Sequence, residues 1–231
     1  AATVKPAEPV LSPRAQFDAL LAKLPCGAVS VSGEDKALTV SGFGGSVEAI
    51  DRLHTAALAM GGKLTWQVAH HPWPQCEAEL TLSRALAAGG VTLAAARDGG
   101  ELRSGDPVRM KAGEIFGITA SADAARPYLS IVYLQADGSA VELYRGTSSE
   151  VRGTRHSVTI GLQGAQETRF QVGPPYGDEM VIALASDRPM ADDAGSDYQT
   201  ERQFLTSLRA RLTQAPPGSV AAAVLRLRTE P

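Results

Sequence analysis

Tyr128-Leu-Ser-Ile-Val-Tyr-Leu134, Ala140-Val-Glu-Leu-Tyr144 and Met180-Val-Ile-Ala-Leu-Ala-Ser186 decide the fold. In the first run Leu129, Ile131 and Tyr133 share one face of a strand, because side chains alternate with period two. Gln135-Ala-Asp137-Gly138-Ser139 follows, and Asp-Gly is a strong short-range hairpin signal, since the primed turns that match strand twist need positive φ. The second run returns with Val141 and Leu143 on one face. The third is apolar on both faces, which marks a strand buried inside a sheet. This stretch predicts an all-β module.

From Val91 onward, short strands alternate with turns: Val91–Ala96, Pro107–Met110, Ile115–Ala120, Ser157–Leu162 and Arg169–Val172. That spacing argues for a β-sandwich rather than βαβ units. A helix follows, capped by Ser196 and carrying Phe204, Leu205, Leu208 and Leu212 at helical spacing. Pro216-Pro217-Gly218 ends it, and Val220–Leu227 is expected as a final edge strand.

Upstream of Gly89-Gly90 the periodicity is different. Ser12-Pro13 is an N-cap with proline at the first helical position, and Phe17, Leu20, Leu21 and Leu24 form an amphipathic stripe ended by Pro25. Cys26–Ser32 and Ala37–Phe43 alternate as two strands. Ser46 caps a helix with Val47, Ile50, Leu53 and Leu58 on its apolar face, and Gly61-Gly62 stops it. Lys63–Ala69 is a third strand, His70–Pro74 an irregular corner, and Gln75–Leu86 a helix carrying Cys76. The order helix, two strands, helix, strand predicts a compact α/β sandwich. The expected fold class is therefore α+β: a flexible tether over residues 1–11, a small α/β domain over 12–88, and an antiparallel β-sandwich with a C-terminal helix over 91–231.

Composition sets limits on function. The chain has 231 residues, 44% hydrophobic and 20% charged, with a net charge of -3. This is ordinary for a globular protein and gives no reason to invoke nucleic acid. No apolar stretch reaches membrane-spanning length. The opening Ala1-Ala2-Thr3 has the small residues that signal cleavage leaves, although cytosolic processing also yields small residues. Cys26 and Cys76 are an even count, as one disulfide requires, and two buried free thiols are the competing reading. Export and a disulfide support each other. We expect a Cys26–Cys76 bond in a periplasmic or secreted bacterial protein.

Two family resemblances follow from these runs. Leu38-Thr-Val-Ser-Gly42 followed by Ser46 to Leu58, within Leu20 to Val68, resembles the BON domain, a small periplasmic module of helices on a short sheet. The second half resembles the DUF4384 domain, a module of unassigned activity. That likeness rests on Gly105-Asp106-Pro-Val-Arg-Met110, on Tyr128 to Gly138, on Val172-Gly-Pro-Pro-Tyr-Gly-Asp-Glu-Met180 through Ser186, and on the helix from Glu201 to Leu212. It implies an accessory domain, of the kind attached to serine/threonine kinase or caspase-like peptidase domains, and not an enzyme.

A few stretches hold residue types that could carry chemistry. His70-His71-Pro72-Trp73-Pro74-Gln75-Cys76 offers two imidazoles and a thiol to a metal. Adjacent histidines in extended chain point to opposite sides, however, and a disulfide would consume the thiol, so no metal site is assigned. His156 with Ser157, or Ser186-Asp187, lacks the strained nucleophile turn that a hydrolase needs. Gly42-Phe-Gly-Gly45 precedes a helix but lacks the lysine and spacing of a phosphate loop. No catalytic residue and no cofactor is assigned. Contact residues are expected on the irregular corners: Trp73 with His70 and His71, and Tyr176 within Gly173–Gly177. The expected function is a non-enzymatic binding or scaffolding module of an envelope or secretion-associated complex, with a protein partner. The alternative is a regulatory C-terminal domain of a kinase or peptidase whose catalytic part is not in this chain.

Overall fold

A computed structural model of the chain describes residues 11–34, 36–97, 101–162, 169–190 and 198–231. The chain divides into two compact units, Ala1–Leu80 and Thr81–Pro231.

In the first unit, helix α1 (Pro13–Leu21) is capped by Ser12, whose Oγ accepts from the Ala15 N–H, and it buries Phe17 completely. Strands β1 (Gly27–Glu34) and β2 (Ala37–Gly44) pair antiparallel. Helix α2 (Val47–Leu58), capped by Ser46, then crosses to β3 (Lys63–His70), which runs parallel to β2. Phe17, Leu38, Val40 and Leu53 form the core, with Val29, Val31, Leu64, Trp66 and Val68 packed against it. Alternation along all three strands puts these side chains on the helix-covered face. Gly42 has φ +135° in the middle of β2, and a Cβ there would lie 2.0 Å from the Ala28 carbonyl oxygen. The close approach of β1 therefore requires this glycine, which gives the Gly42–Gly45 run a packing role.

Helix α3 (Gln75–Ala88) follows. The division between units falls inside it, ahead of the expected boundary at Gly89-Gly90. Its second half is tied to the second unit by a hydrogen bond from Arg209 to Thr81. The three strands before Gly89 make a sheet of their own.

The second unit contains β4 (Val91–Arg97), β5 (Val108–Lys111), β6 (Ile115–Asp123), β7 (Tyr128–Leu134), β8 (Ser139–Arg145), β9 (Arg155–Ile160), β10 (Phe170–Gln171), β11 (Asp178–Ser186), β12 (Tyr198–Thr200), α4 (Glu201–Gln214) and β13 (Val220–Glu230). One sheet has the order β10-β6-β4, with β9 also pairing β6; the other has the order β12-β8-β7-β11-β13-β5. The inner faces of both supply a single core, including Phe116, Ile118, Leu129, Ile131, Ile160, Val181, Ala183 and Leu227. This is a β-sandwich, and the chain as a whole is α+β.

Three details differ from expectation. The β7–β8 hairpin closes through a hydrogen bond from the Gly138 N–H to the Gln135 carbonyl, with positive φ at Gly138 and not at Asp137. That is a type I turn followed by a left-handed glycine rather than a primed two-residue turn. The Asp137 carboxylate accepts from the Ser139 N–H and hydroxyl, which stabilises it. Second, β13 is not an edge strand. It lies between β11 and β5, and its pairing with β5 is parallel, so the sandwich is not wholly antiparallel. Third, α4 is capped by Thr200, with Gln203 completing a capping box; the expected cap, Ser196, lies outside the described residues. Among the described residues no helix is long and apolar enough to cross a membrane.

Candidate functional site

The inner rows of the six-stranded sheet are apolar along most of their length and turn polar at one end. On β11 the row Ala185, Ala183, Val181 continues to Glu179; on β7 the row Leu129, Ile131 ends at Tyr133; on β13 Leu227 is followed two residues later by Thr229. Between this end and the facing strand β10 lies a pocket of about 270 Å³. Phe116, Phe170 and Leu143 give it apolar walls, Gln135 and Gln171 add amides, and Gly173-Pro174-Pro175 lies along its border.

Glu179 is only 5% exposed. Its Oε2 accepts from the Tyr133 hydroxyl at 2.6 Å, and its Oε1 accepts from the Ala136 N–H at 3.3 Å. Burial raises the pKa of Glu179 above the usual carboxylate value of 4.5, against the opposing pull of the Tyr133 and Ala136 hydrogen bonds. Burial likewise raises that of Tyr133, and the negative charge of Glu179 adds to the effect.

Because folding raises the pKa of Glu179, its contribution to stability is fully present below pH 4.5 and declines as pH rises through the raised value. Urea midpoints measured from pH 4 to 8 should therefore fall less steeply in Glu179→Gln than in the wild type. Equal slopes would mean that Glu179 titrates normally.

The residues expected from sequence are placed as follows. Cys26 and Cys76 form a disulfide with their Cα atoms 5.7 Å apart. His70 closes β3 and is exposed, whereas His71 turns inward, stacks on Phe43 at a ring separation of 4.8 Å, and has Nδ1 3.0 Å from Glu79 Oε2. The two imidazoles and Cys76 thus do not converge on one point. Trp73 is 48% exposed at the corner after β3. Tyr176 does not stand out from its loop but packs against the sandwich core. Its neighbours Gly173, Pro174 and Pro175 are the residues that border the pocket.

His156 and Ser157 alternate across β9. His156 is fully buried, with Nδ1 2.8 Å from the Pro127 carbonyl and Nε2 2.9 Å from the Tyr144 hydroxyl; Ser157 hydrogen-bonds Ser121. The carbonyl can only accept, which fixes a proton on Nδ1. Burial, reinforced by Glu150, raises the pKa of Tyr144. Ser186 donates to the Arg188 carbonyl in the turn after β11. Neither serine meets a histidine.

Glu179 and Tyr133 were not singled out as site residues from sequence. The available signal was parity, since Glu179 stands two residues before Val181 and shares its face.

Comparison with protein-family models, with curated proteins and with solved structures finds no match to the chain. The functional reading therefore rests on the residues themselves.

Proposed function

We propose that the chain is a non-enzymatic binding module that works outside the cytoplasm and docks a protein partner of an envelope or secretion-associated complex. The observation that carries this reading is the Trp73 corner. A large indole, half exposed, sits between Pro72 and Pro74, and the chain on its far side is fixed. The Cys76 N–H donates to the Pro72 carbonyl, the Ala78 N–H donates to the Pro74 carbonyl, and Cys76 is bonded to Cys26 at the head of β1. An aromatic anchor already held in place loses little conformational entropy on binding. The disulfide supports an oxidising compartment. The likeness of the second half to DUF4384 supports an accessory role, and the sandwich pocket brings a single carboxyl, Glu179, to its lining.

Trp73→Ala tests this reading. Loss of such an anchor costs about 2 kcal/mol or more, roughly a thirtyfold drop in affinity, while folding stability should stay within about 0.5 kcal/mol. The fluorescence of Trp66 remains to report the fold. Quantitative capture from envelope extract, wild type against variant, should show one protein lost from the variant. A folded variant that retains every partner would remove Trp73 from the binding face, and turnover of a peptide, ester or phosphate substrate would overturn the non-enzymatic reading.

A further inference from the structure

β1 is an eight-residue strand at the edge of the three-stranded sheet, paired with β2 on one side alone. The direction of its backbone groups follows from the pairing of β2 with β3. The Lys63 N–H donates to the Lys36 carbonyl and the His71 N–H to the Gly44 carbonyl, so even-numbered residues of β2 face β3 and odd-numbered ones face β1. Those odd residues stand opposite Ala28, Ser30, Ser32 and Glu34, which leaves the N–H and C=O groups of Gly27, Val29, Val31 and Gly33 turned outward. No hydrogen bond among the described residues reaches this outer row.

We propose that this edge pairs with the same edge of a second copy of the chain, across a two-fold axis at Ser30, to make one six-stranded sheet. The sequence of the strand decides the occupant. Gly27-Ala-Val-Ser-Val-Ser-Gly33 reads nearly the same in both directions about Ser30. Antiparallel pairing on that axis sets Val29 opposite the partner's Val31, Gly27 opposite the partner's Gly33 and Ala28 opposite the partner's Ser32. The outward backbone groups then meet in hydrogen-bonded pairs, and each residue type finds its own kind, as a self-complementary interface requires.

The faces match too, because directly opposed residues lie on the same side of a sheet. Val29 and Val31, packed against the core of the first unit, extend its apolar side across the axis. Ala28, Ser30 and Ser32 form an exposed row without charge on the other side. An axis at Val31 instead would set Val29 against glycine and bring Glu34 into the paired run, so the register is specified. The devices that block edge pairing are absent from β1, which has no proline, no lysine and no bulge in its register with β2. β3, at the other edge, opens on Lys63, and β5, β10 and β12 of the second unit have only four, two and three residues. One strand edge is a small contact, so the dimer is a weak one, with a Kd between about 1 µM and 1 mM.

Sedimentation equilibrium of the full chain across that range should show a monomer–dimer transition. Ser30→Lys sets two ammonium groups face to face on the axis and should weaken the dimer at least about tenfold. The tryptophan fluorescence midpoint should not move, because this side chain is exposed. Ala28→Glu combined with Ser32→Lys sets opposite charges across the axis and should leave the dimer at least as tight as in the wild type. Ser30→Cys should cross-link two chains under mild oxidation, since residues opposed in a non-hydrogen-bonded pair have Cα atoms ~4.5 Å apart. Thr65→Cys, on the outer row of β3, should not. Should Ser30→Lys fail to fold, the cross-link and the charge pair read the same axis. A chain that stays monomeric up to about 1 mM, or a dimer indifferent to Ser30→Lys, would overturn the proposal. So would a monomeric chain whose capture of an envelope protein is lost in Ser30→Lys, since a foreign strand would then occupy the edge. Loss of the Trp73 partner alone leaves the dimer measurement unaffected and bears only on the binding role of that corner.

Discussion

Opening the Cys26–Cys76 bond should destabilise the first unit by about 4 kcal/mol, more than any surface substitution could. The bond spans 50 residues, and the chain-entropy relation gives roughly this figure for a loop of that length. One local term opposes it. Cys26 is held at φ +45°, the left-handed region that costs a non-glycine residue on the order of 1 kcal/mol, and this strain is released when the bond opens. The net loss should still exceed about 2 kcal/mol. Both tryptophans of the chain, Trp66 and Trp73, lie in this unit, so intrinsic tryptophan fluorescence follows it alone. Cys26→Ala with Cys76→Ala, or reduction, should move the fluorescence midpoint down by more than about 8 °C, at roughly 4–8 °C per kcal/mol for a unit of this size. A shift of only a few degrees would show that the bond constrains little in the unfolded chain. The same variant should weaken partner capture, because the Trp73 corner loses one of its braces.

What could be read in the sequence follows from how local the information is. The run Met180–Ser186 declared an interior strand because neither parity class was polar, and it lies between β7 and β13. The two histidines had to diverge in extended chain, and they do: His70 outward, His71 onto Phe43 and Glu79. The disulfide followed from an even cysteine count at the heads of two elements.

β13 was misread for a physical reason. Arg226 and Arg228 alternate with Leu225 and Leu227, the pattern of a strand with one wet face, and such strands are common at edges. The partner that makes it interior, β5, is more than a hundred residues upstream, and the two arginines are satisfied by Asp106 and Asp178 from distant segments. The pocket was hidden in the same way. Tyr133 shares a strand face with Leu129 and Ile131, Glu179 lies just ahead of the Met180–Ser186 run, and only the pairing of β7 with β11 brings the hydroxyl to the carboxylate. Tyr176 illustrates the converse: a tyrosine on a proline loop resembles a contact residue, yet its ring packs on the core and the loop backbone beside it borders the site.

Ile182→Ala should be the most damaging single truncation in the second unit. Ile182 is fully buried at the middle of β11, paired with Val132 on β7 and Val224 on β13. It faces away from Val181, which belongs to the core between the two sheets. Removing its three outer carbons forfeits about 2.4 kcal/mol of transfer free energy at 0.8 per methylene. The cavity adds more, because neighbours held in hydrogen-bonded ladders on both sides cannot collapse into the space, so about 3–4 kcal/mol is expected. Ile182→Val should cost about 1 kcal/mol, and Val181→Ala about 2. All five tyrosines lie in this unit, so tyrosine circular dichroism isolates its melting, with an expected fall of roughly 10 °C for Ile182→Ala at 2–4 °C per kcal/mol. The pair of substitutions is what discriminates. An edge strand or a strand with one wet face would tolerate truncation on one side, so a loss below about 1 kcal/mol at either Val181 or Ile182 would contradict the doubly covered β11 on which the pocket, and Glu179 within it, depends.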